Sequence, residues 1–385
     1  MSASLRLLLA TVVFSAMLPG AESSKQRPLG VSHGYSIHAV HQNAPHIFNA
    51  LHSSMRQWGS SLRHNGMSYF PASVPANTLL YHGTSQKDAV TGMEWLAFEI
   101  EHAEMFAGSP GPPGKGGHGP GGPKRPGDPK HGHDPKENES RERQCGPPVG
   151  GGIPGYLHVY QTTRELIRLL YIDGMSAGKT TMGTLDTTDI VLRNISSFNS
   201  GREPGGKGPW DEYSRASDLC ADEDLGIEGI VRMEAGFELI LCDFTHGVKL
   251  QSARKRPSYD QPEGQNSQLQ HFEYMRGIAA RYHGITSGRV VVDYSSMVSA
   301  FFYPLNLTNP DEQRSKQSRL FFTDVHGIRR LKQAVQQMLE TSEISVHRSI
   351  DWQGVVDMIT TRYSDRLQFL SASGTTQTPS STKHY

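Results

Sequence analysis

Several stretches of the chain repeat apolar residues every three or four positions, which is the spacing of one helix face. One helix is expected from Ala44 through Leu62, with Asn43 as its N-cap and Pro45 in its first turn. Further helices are predicted at 99–107 and near 270–282. Two amphipathic helices follow, with apolar positions at Leu331, Val335, Met338 and Leu339 and then at Trp352, Val355, Val356, Ile359 and Tyr363.

Short apolar runs between these helices predict strands, because they are rich in β-branched and aromatic residues and end at turn residues. The runs lie at 78–84, 156–160, 168–172, 229–233, 237–243 and 290–292. The fourth and fifth flank the turn 234–236, which predicts a hairpin. Helices and strands together indicate an α+β fold.

Residues 108–155 interrupt this pattern, since they are rich in Gly and Pro and almost free of large apolar side chains. Such a segment buries too little surface to offset its ordering entropy, so a disordered linker is expected. Glycine does not keep every third position, which excludes a collagen helix. His118, His131 and His133 lie in the segment, where a solvated linker is favoured over a metal site.

The first 23 residues are typical of a secretory signal peptide. An apolar run from Leu7 to Leu18 follows a short positive start, and the small residues Ala21 and Ser23 suit cleavage. The run is shorter than the roughly 20 residues that span a bilayer. We therefore expect a secreted protein without a membrane anchor.

The charge balance argues against a nucleic-acid or membrane partner, because 38 basic and 38 acidic side chains give no net charge.

In an oxidising compartment the three cysteines, Cys145, Cys220 and Cys242, allow one disulfide and leave one thiol, and the sequence leaves the pairing open. No metal site is predicted.

Two motifs that suggest chemistry are set aside. The stretch 173–180 ends in Gly-Lys-Thr, as a phosphate-binding loop does, but Asp173 stands where that loop needs its first glycine. A tight polar turn is the better interpretation. Glu234 and Glu238 could form a glycosidase pair, but such carboxylates flank a sugar across a groove, and Gly236 puts a turn between these two.

Three segments occur together in an order that resembles the ADP-ribosyltransferase superfamily, and most closely its poly(ADP-ribose)-polymerase-like branch. One strand ends in His82-Gly83-Thr84, two aromatic residues eleven apart follow at Trp95 and Phe106, and Glu238 opens an apolar strand ending in Asp243. The region also resembles uncharacterised secreted proteins of filamentous fungi. The resemblance implies a split-sheet core that binds and cleaves NAD.

By this resemblance His82 would donate a hydrogen bond to the nicotinamide ribose. The backbone of Gly83, followed by Thr84, would pair with the carboxamide, where a side chain would block the approach. Trp95 and Phe106 would sandwich the nicotinamide ring. Glu238 would stabilise the positive charge that develops on the ribose.

Each of these residues also has a plainer interpretation. His82 could be a turn histidine, Glu238 a solvated carboxylate on an edge strand, and Trp95 and Phe106 ordinary core. The family usually has tyrosine at both ring positions, and neither ring carries a hydroxyl here.

The sequence therefore predicts a core in two halves, 30–107 and 156–249, separated by the linker 108–155. A mostly helical region at 250–371 and a flexible tail at 372–385 would follow the signal peptide 1–23 and this core. The expected function is a secreted ADP-ribosyltransferase or NAD glycohydrolase, with a macromolecule or water as acceptor. The alternative is a catalytically inactive interaction protein of the same fold.

Overall fold

A computed structural model describes residues 34–56, 66–109, 153–173, 186–194, 212–233, 236–256, 289–342 and 350–372, with three isolated positions at 273, 276 and 277. The fold is mixed α+β, as predicted. Its elements are, in chain order, α1 (Ile37–Gln42), α2 (Ala44–Ser53), β1 (Ser68–Val74), β2 (Leu79–Thr84), β3 (Glu94–Ala97), α3 (Ile100–Glu104), β4 (Gly108–Ser109), β5 (Ile153–Pro154), β6 (Tyr156–Thr162), β7 (Leu166–Ile172), a π-helix (Thr187–Leu192), α4 (Glu212–Ala221), β8 (Gly229–Met233), β9 (Phe237–Leu241), β10 (Val248–Lys255), β11 (Val291–Val292), β12 (Val298–Ser299), α5 (Val325–Ser342) and α6 (Trp352–Ser371).

Nine strands follow the order β10-β6-β2-β3-β9-β8-β7-β1-β11, and β12 pairs with β1 as a tenth. The pairs are antiparallel except β7–β8. Strand β2 pairs with β6 along its whole length, from Leu79 to Thr84. It pairs with β3 at one position only, Tyr81 opposite Ala97. The sheet is therefore nearly divided between β2 and β3.

The central strands β1, β8 and β9 carry almost only buried residues, so they lack the in–out alternation of a half-exposed sheet. Strand β10, at one end of the sheet, has one buried residue, Val248, and its other residues are partly or fully exposed. The largest fully buried side chains are those of Tyr69, Phe70, Phe98, Tyr160, Tyr171, Phe301 and Tyr303.

The C-terminal region is helical, as predicted, and it also contributes strands to the sheet. Strand β10 continues to Lys255, and the short strands β11 and β12 both pair with β1. The two predicted amphipathic helices are present as α5 and α6. The predicted helix near 270–282 lies outside the described residues apart from the isolated positions.

Two predicted helices are shorter than expected. The first ends at Ser53, and Met55 takes a left-handed backbone conformation with φ 52°. Asn43 is its N-cap residue, but its side chain makes no capping bond and donates instead to the Phe301 carbonyl. Trp58 and Leu62 lie outside the described residues. The second helix covers 100–104 instead of 99–107.

The segment 108–155 is ordered at its two ends, which corrects its predicted bounds. Strand β4 pairs with β5, bringing Gly108 opposite Pro154 and Ser109 opposite Ile153. Residues 110–152, the signal peptide 1–23, the turn 174–180 and the tail from 373 lie outside the described residues.

A disulfide joins Cys220 at the end of α4 to Cys242 after β9, and so decides a pairing that the sequence left open. Cys145 lies outside the described residues. Among the helices that can be described, none is both long enough and apolar enough to cross a bilayer.

Candidate functional site

The predicted site residues lie where the sheet is nearly divided. His82, on β2, is buried, and its Nδ1 is 2.8 Å from the carbonyl oxygen of Trp95 on β3. A carbonyl oxygen only accepts, so Nδ1 carries the proton. The hydrogen bond to a ribose that was predicted for this histidine would involve the other ring nitrogen, Nε2.

Trp95 and Phe106 contact each other, with ring centroids 4.9 Å apart and planes at 72°. His102, on α3, lies 5.6 Å from both rings. A ring inserted between two aromatic faces needs about 7 Å between them, which is two carbon contact distances. The predicted nicotinamide sandwich is therefore closed in this conformation, with Trp95 and Phe106 partly exposed above the buried His102.

Glu238 lies beneath these rings. His102 Nε2 is 2.7 Å from Oε1, and Arg232 donates to Oε2 through Nε at 2.7 Å. The residue is 3% exposed, and its strand β9 lies between β3 and β8. The plainer interpretation of Glu238 as a solvated edge-strand carboxylate is therefore wrong.

The charge state of Glu238 follows from its partners. Burial alone would raise the pKa of this carboxyl, but Arg232 and His102 outweigh burial and lower the pKa to about 2. Glu238 is thus an anion at physiological pH. Since an ionised carboxylate only accepts, the proton of this hydrogen bond lies on Nε2 of His102.

A second buried carboxyl, Glu99, lies beside the same histidine. It is 1% exposed, and its Oε2 accepts the backbone N–H of Phe237 at 2.9 Å. Burial raises the pKa of Glu99 to about 6, and His102, the Phe237 N–H and Arg289 oppose that rise. Of the two carboxyls near His102, Glu99 therefore has a pKa above the ordinary value and Glu238 has a pKa below it.

Packing explains Gly83. A Cβ at this position would lie 2.0 Å from the Ala103 carbonyl oxygen, so only glycine lets α3 lie against β2. Thr84, also buried, accepts the Gln86 N–H at its hydroxyl. The absence of a side chain at Gly83 thus needs no ligand to account for it.

His158 was not predicted as part of the site. It lies directly opposite His82 in the β2–β6 pair, and the two ring centroids are 6.3 Å apart. Burial lowers the pKa of His158, and the Gln86 and Lys87 backbone opposes this. The alternation of side chains along a strand is the signal that could have indicated His158. Residues directly opposite each other in neighbouring strands lie on the same face of the sheet.

Two other residues were missed although the sequence carried a signal for each. Arg232 is directly opposite Glu238 in the β8–β9 hairpin, and the predicted turn 234–236 already fixes that register. His102 lies one helical turn after Glu99, so both fall on one face of a helix. Within the described residues, no three His, Cys, Asp or Glu side chains are grouped to hold a metal ion.

The described geometry joins all but one of the sequence-predicted residues into one continuous cluster. His82 contacts Trp95, Trp95 contacts Phe106 and His102, and His102 is bonded to Glu238. Gly83 supports the helix that carries His102, and Thr84 lies beyond it at the end of β2.

Comparison with known proteins gives relatives and a family. The chain is 32% identical over 211 residues to the uncharacterized protein YPL277C of Saccharomyces cerevisiae, an alignment that covers 53% of this chain and 41% of that protein. It is 33% identical over 208 residues to the uncharacterized protein YOR389W of the same yeast, covering 53% and 32%. The chain thus spans less than half the length of these relatives.

No solved structure matches the chain. Residues 36–261 match the family described as the YPL277C N-terminal domain, and this range includes every predicted site residue. The chain therefore belongs to the YPL277C N-terminal domain family.

Proposed function

We propose that this protein is a secreted enzyme that cleaves NAD at the bond between nicotinamide and ribose, within an ADP-ribosyltransferase-like core. A macromolecule or water accepts the ADP-ribose. The observation that carries the proposal is the continuous cluster from His82 through Trp95 and His102 to Glu238, which joins β2, β3, α3 and β9.

Cleavage of the nicotinamide–ribose bond is favoured by a fixed negative charge beside the ribose, because positive charge develops there as nicotinamide leaves. Glu238 supplies an anion that Arg232 and His102 hold in place. Oε1 accepts one N–H from His102, and a carboxylate oxygen has two lone pairs, so Oε1 can accept a ribose hydroxyl as well. Nε2 of neutral His82 can accept another.

Entry of NAD requires the two partly exposed rings to separate. Trp95 and Phe106 cover His102 and Glu238, and their edge-to-face contact is worth roughly 1 kcal/mol beyond the area it buries. A nicotinamide ring between them would replace that contact with two stacked ones. The proposal therefore includes an opening of this pair.

The alternative is an inactive interaction protein of the same fold. Its specific support is the burial of Glu238 at 3% exposure behind the closed ring pair. The two functions differ in one observable, the release of nicotinamide.

The test is incubation of the full chain with NAD and quantification of nicotinamide and free ADP-ribose by chromatography. Equal amounts of the two products identify water as the acceptor. Less ADP-ribose than nicotinamide, with label from radioactive NAD on a macromolecule, identifies transfer. Absence of nicotinamide with water and with every added acceptor would contradict the enzyme and favour the interaction protein.

A further inference from the structure

The side-chain position at Gly236, two residues before Glu238, is occupied by the carboxylate of Glu99. A Cβ built on Gly236 would lie 2.6 Å from Glu99 Oε2 and 3.4 Å from His102 Cβ. Glu99 therefore adds a second carboxylate beside the start of β9, the strand that carries Glu238.

Several contacts fix Glu99 in this place. The Phe237 N–H donates to Oε2 at 2.9 Å, and His102 lies one turn further along the chain. His102 in turn is bonded to Glu238 at 2.7 Å and interacts electrostatically with Glu99, so one imidazole is a neighbour of both carboxylates. This arrangement brings together residues from α3 and β9 that are more than a hundred positions apart in the sequence.

The two carboxylates differ in how they are compensated. Glu238 accepts N–H groups from both His102 and Arg232 and is held as an anion. Burial raises the pKa of Glu99 to about 6, so this group exchanges a proton near neutral pH. Neighbouring acids whose environments separate their pKa values divide the roles of base and fixed charge.

We propose that Glu99 is the general base that deprotonates the nucleophile in NAD cleavage, while Glu238 stabilises the ribose cation. This inference rests on the proposed function. With water as nucleophile, its oxygen forms a bond to the anomeric carbon, and the bond from that carbon to the nicotinamide nitrogen breaks. The electron pair of that bond neutralises the pyridinium, and the water proton passes to Glu99 and then to solvent.

The charged and titratable groups that face Glu99 decide its pH response. They are His102 on α3 and Arg289 before β11, and His102 is bonded in turn to Glu238, which Arg232 pairs. Glu238 is an anion and Arg232 a cation throughout the neutral range, so their charges do not change there. The rate should therefore rise with pH as Glu99 loses its proton.

The experiment compares nicotinamide release from NAD by the full chain and by Glu99→Gln between about pH 5 and pH 8. Loss of a general base typically costs a hundredfold or more. We expect that loss at the alkaline end, disappearance of the rise with pH, and an unchanged KM for NAD. The control is Glu228→Gln, since Glu228 also accepts a backbone N–H, from Ile167, outside the site. It should keep the wild-type profile.

Glutamine can still accept the Phe237 N–H, so the variant is expected to fold. If it does not, Glu99→Asp keeps the carboxylate and should give a slower enzyme that retains the rise with pH. A folded Glu99→Gln with the wild-type rate and profile would overturn the role of Glu99 alone, and so would an Asp variant lacking the rise. No nicotinamide from the wild type would instead overturn the proposed function, and this inference with it.

Discussion

The carboxylates buried in two regions of this molecule have different kinds of partner. On the π-helix, Asp189 is bonded to Arg215 and Arg193, while Asp186 is bonded to Arg319 and to the Leu320 N–H. Every cationic partner there is an arginine, which is always charged. Beside Trp95, the partners of Glu99 and Glu238 include a histidine, His102.

The comparison separates structure from chemistry. A buried carboxylate with full arginine compensation has a fixed charge and serves the packing of its region. A buried pair that shares a histidine, and in which one pKa is raised and the other lowered, can move a proton. Burial of a charged group is therefore not evidence of function by itself. A stronger indication is a pair of buried carboxyls whose pKa values are shifted in opposite directions near partly exposed aromatic rings.

The largest expected effect is on stability at the π-helix. Asp189→Asn removes the buried charge that Arg215 and Arg193 share, although Arg193 keeps its pair with Asp218. Loss of one partner of a buried ion pair costs about 3–5 kcal/mol in the free energy of unfolding. Urea unfolding measures this loss, and a cost below 1 kcal/mol would show that the region is not held by these pairs.

A smaller effect is expected from the titration of Glu99. Its pKa is about 6 in the folded protein against an ordinary 4.5, so the folded state holds the proton more tightly. The resulting stability is present below pH 4.5 and is lost as pH rises through 6. The difference amounts to about 2 kcal/mol.

The amide in Glu99→Gln does not titrate, so comparison with this variant isolates the contribution of the Glu99 proton to the free energy of unfolding. Between about pH 4 and about pH 7.5, the free energy of unfolding of the wild type should fall by about 2 kcal/mol relative to the variant. Parallel curves for the two proteins would contradict the raised pKa.

The smallest effect is expected at an exposed ion pair. Arg164 pairs with Glu228, and its side chain is 48% exposed. Such pairs are worth about 0–1 kcal/mol because water screens them. Arg164→Gln should change the free energy of unfolding within that range, and a loss near that of Asp189→Asn would remove the distinction between buried and exposed pairs.

The sequence predicted the α+β class, six strands close to their observed bounds and the two C-terminal helices, because each has a clear apolar pattern. Strand β1 was missed because Pro71 interrupts it, and Pro is rare inside sheets. Helix α4 was missed because its polar composition hides the period. Packing against distant parts of the chain stabilises both elements, and local sequence propensity does not encode such packing.

The site was predictable in part. His82, Trp95, Phe106 and Glu238 were singled out from their order along the chain, and the fold groups them. The role of Glu99 was not predictable, because it depends on an α3–β9 contact between residues 138 positions apart. The alternative interpretation of Glu238 as a solvated edge-strand carboxylate was wrong because β9 lies inside the sheet. The order of strands in a sheet depends on contacts between distant parts of the chain.

The central claim is that the cluster around Glu238 performs NAD chemistry while the π-helix cluster is structural. The most direct test measures nicotinamide release per folded molecule for Glu238→Gln and Asp189→Asn side by side. Both variants should lose stability, since each removes a buried anion from cationic partners. Glu238→Gln should lose at least about a hundredfold in rate, and Asp189→Asn should keep the wild-type rate. Equal rates in the two variants would contradict the account.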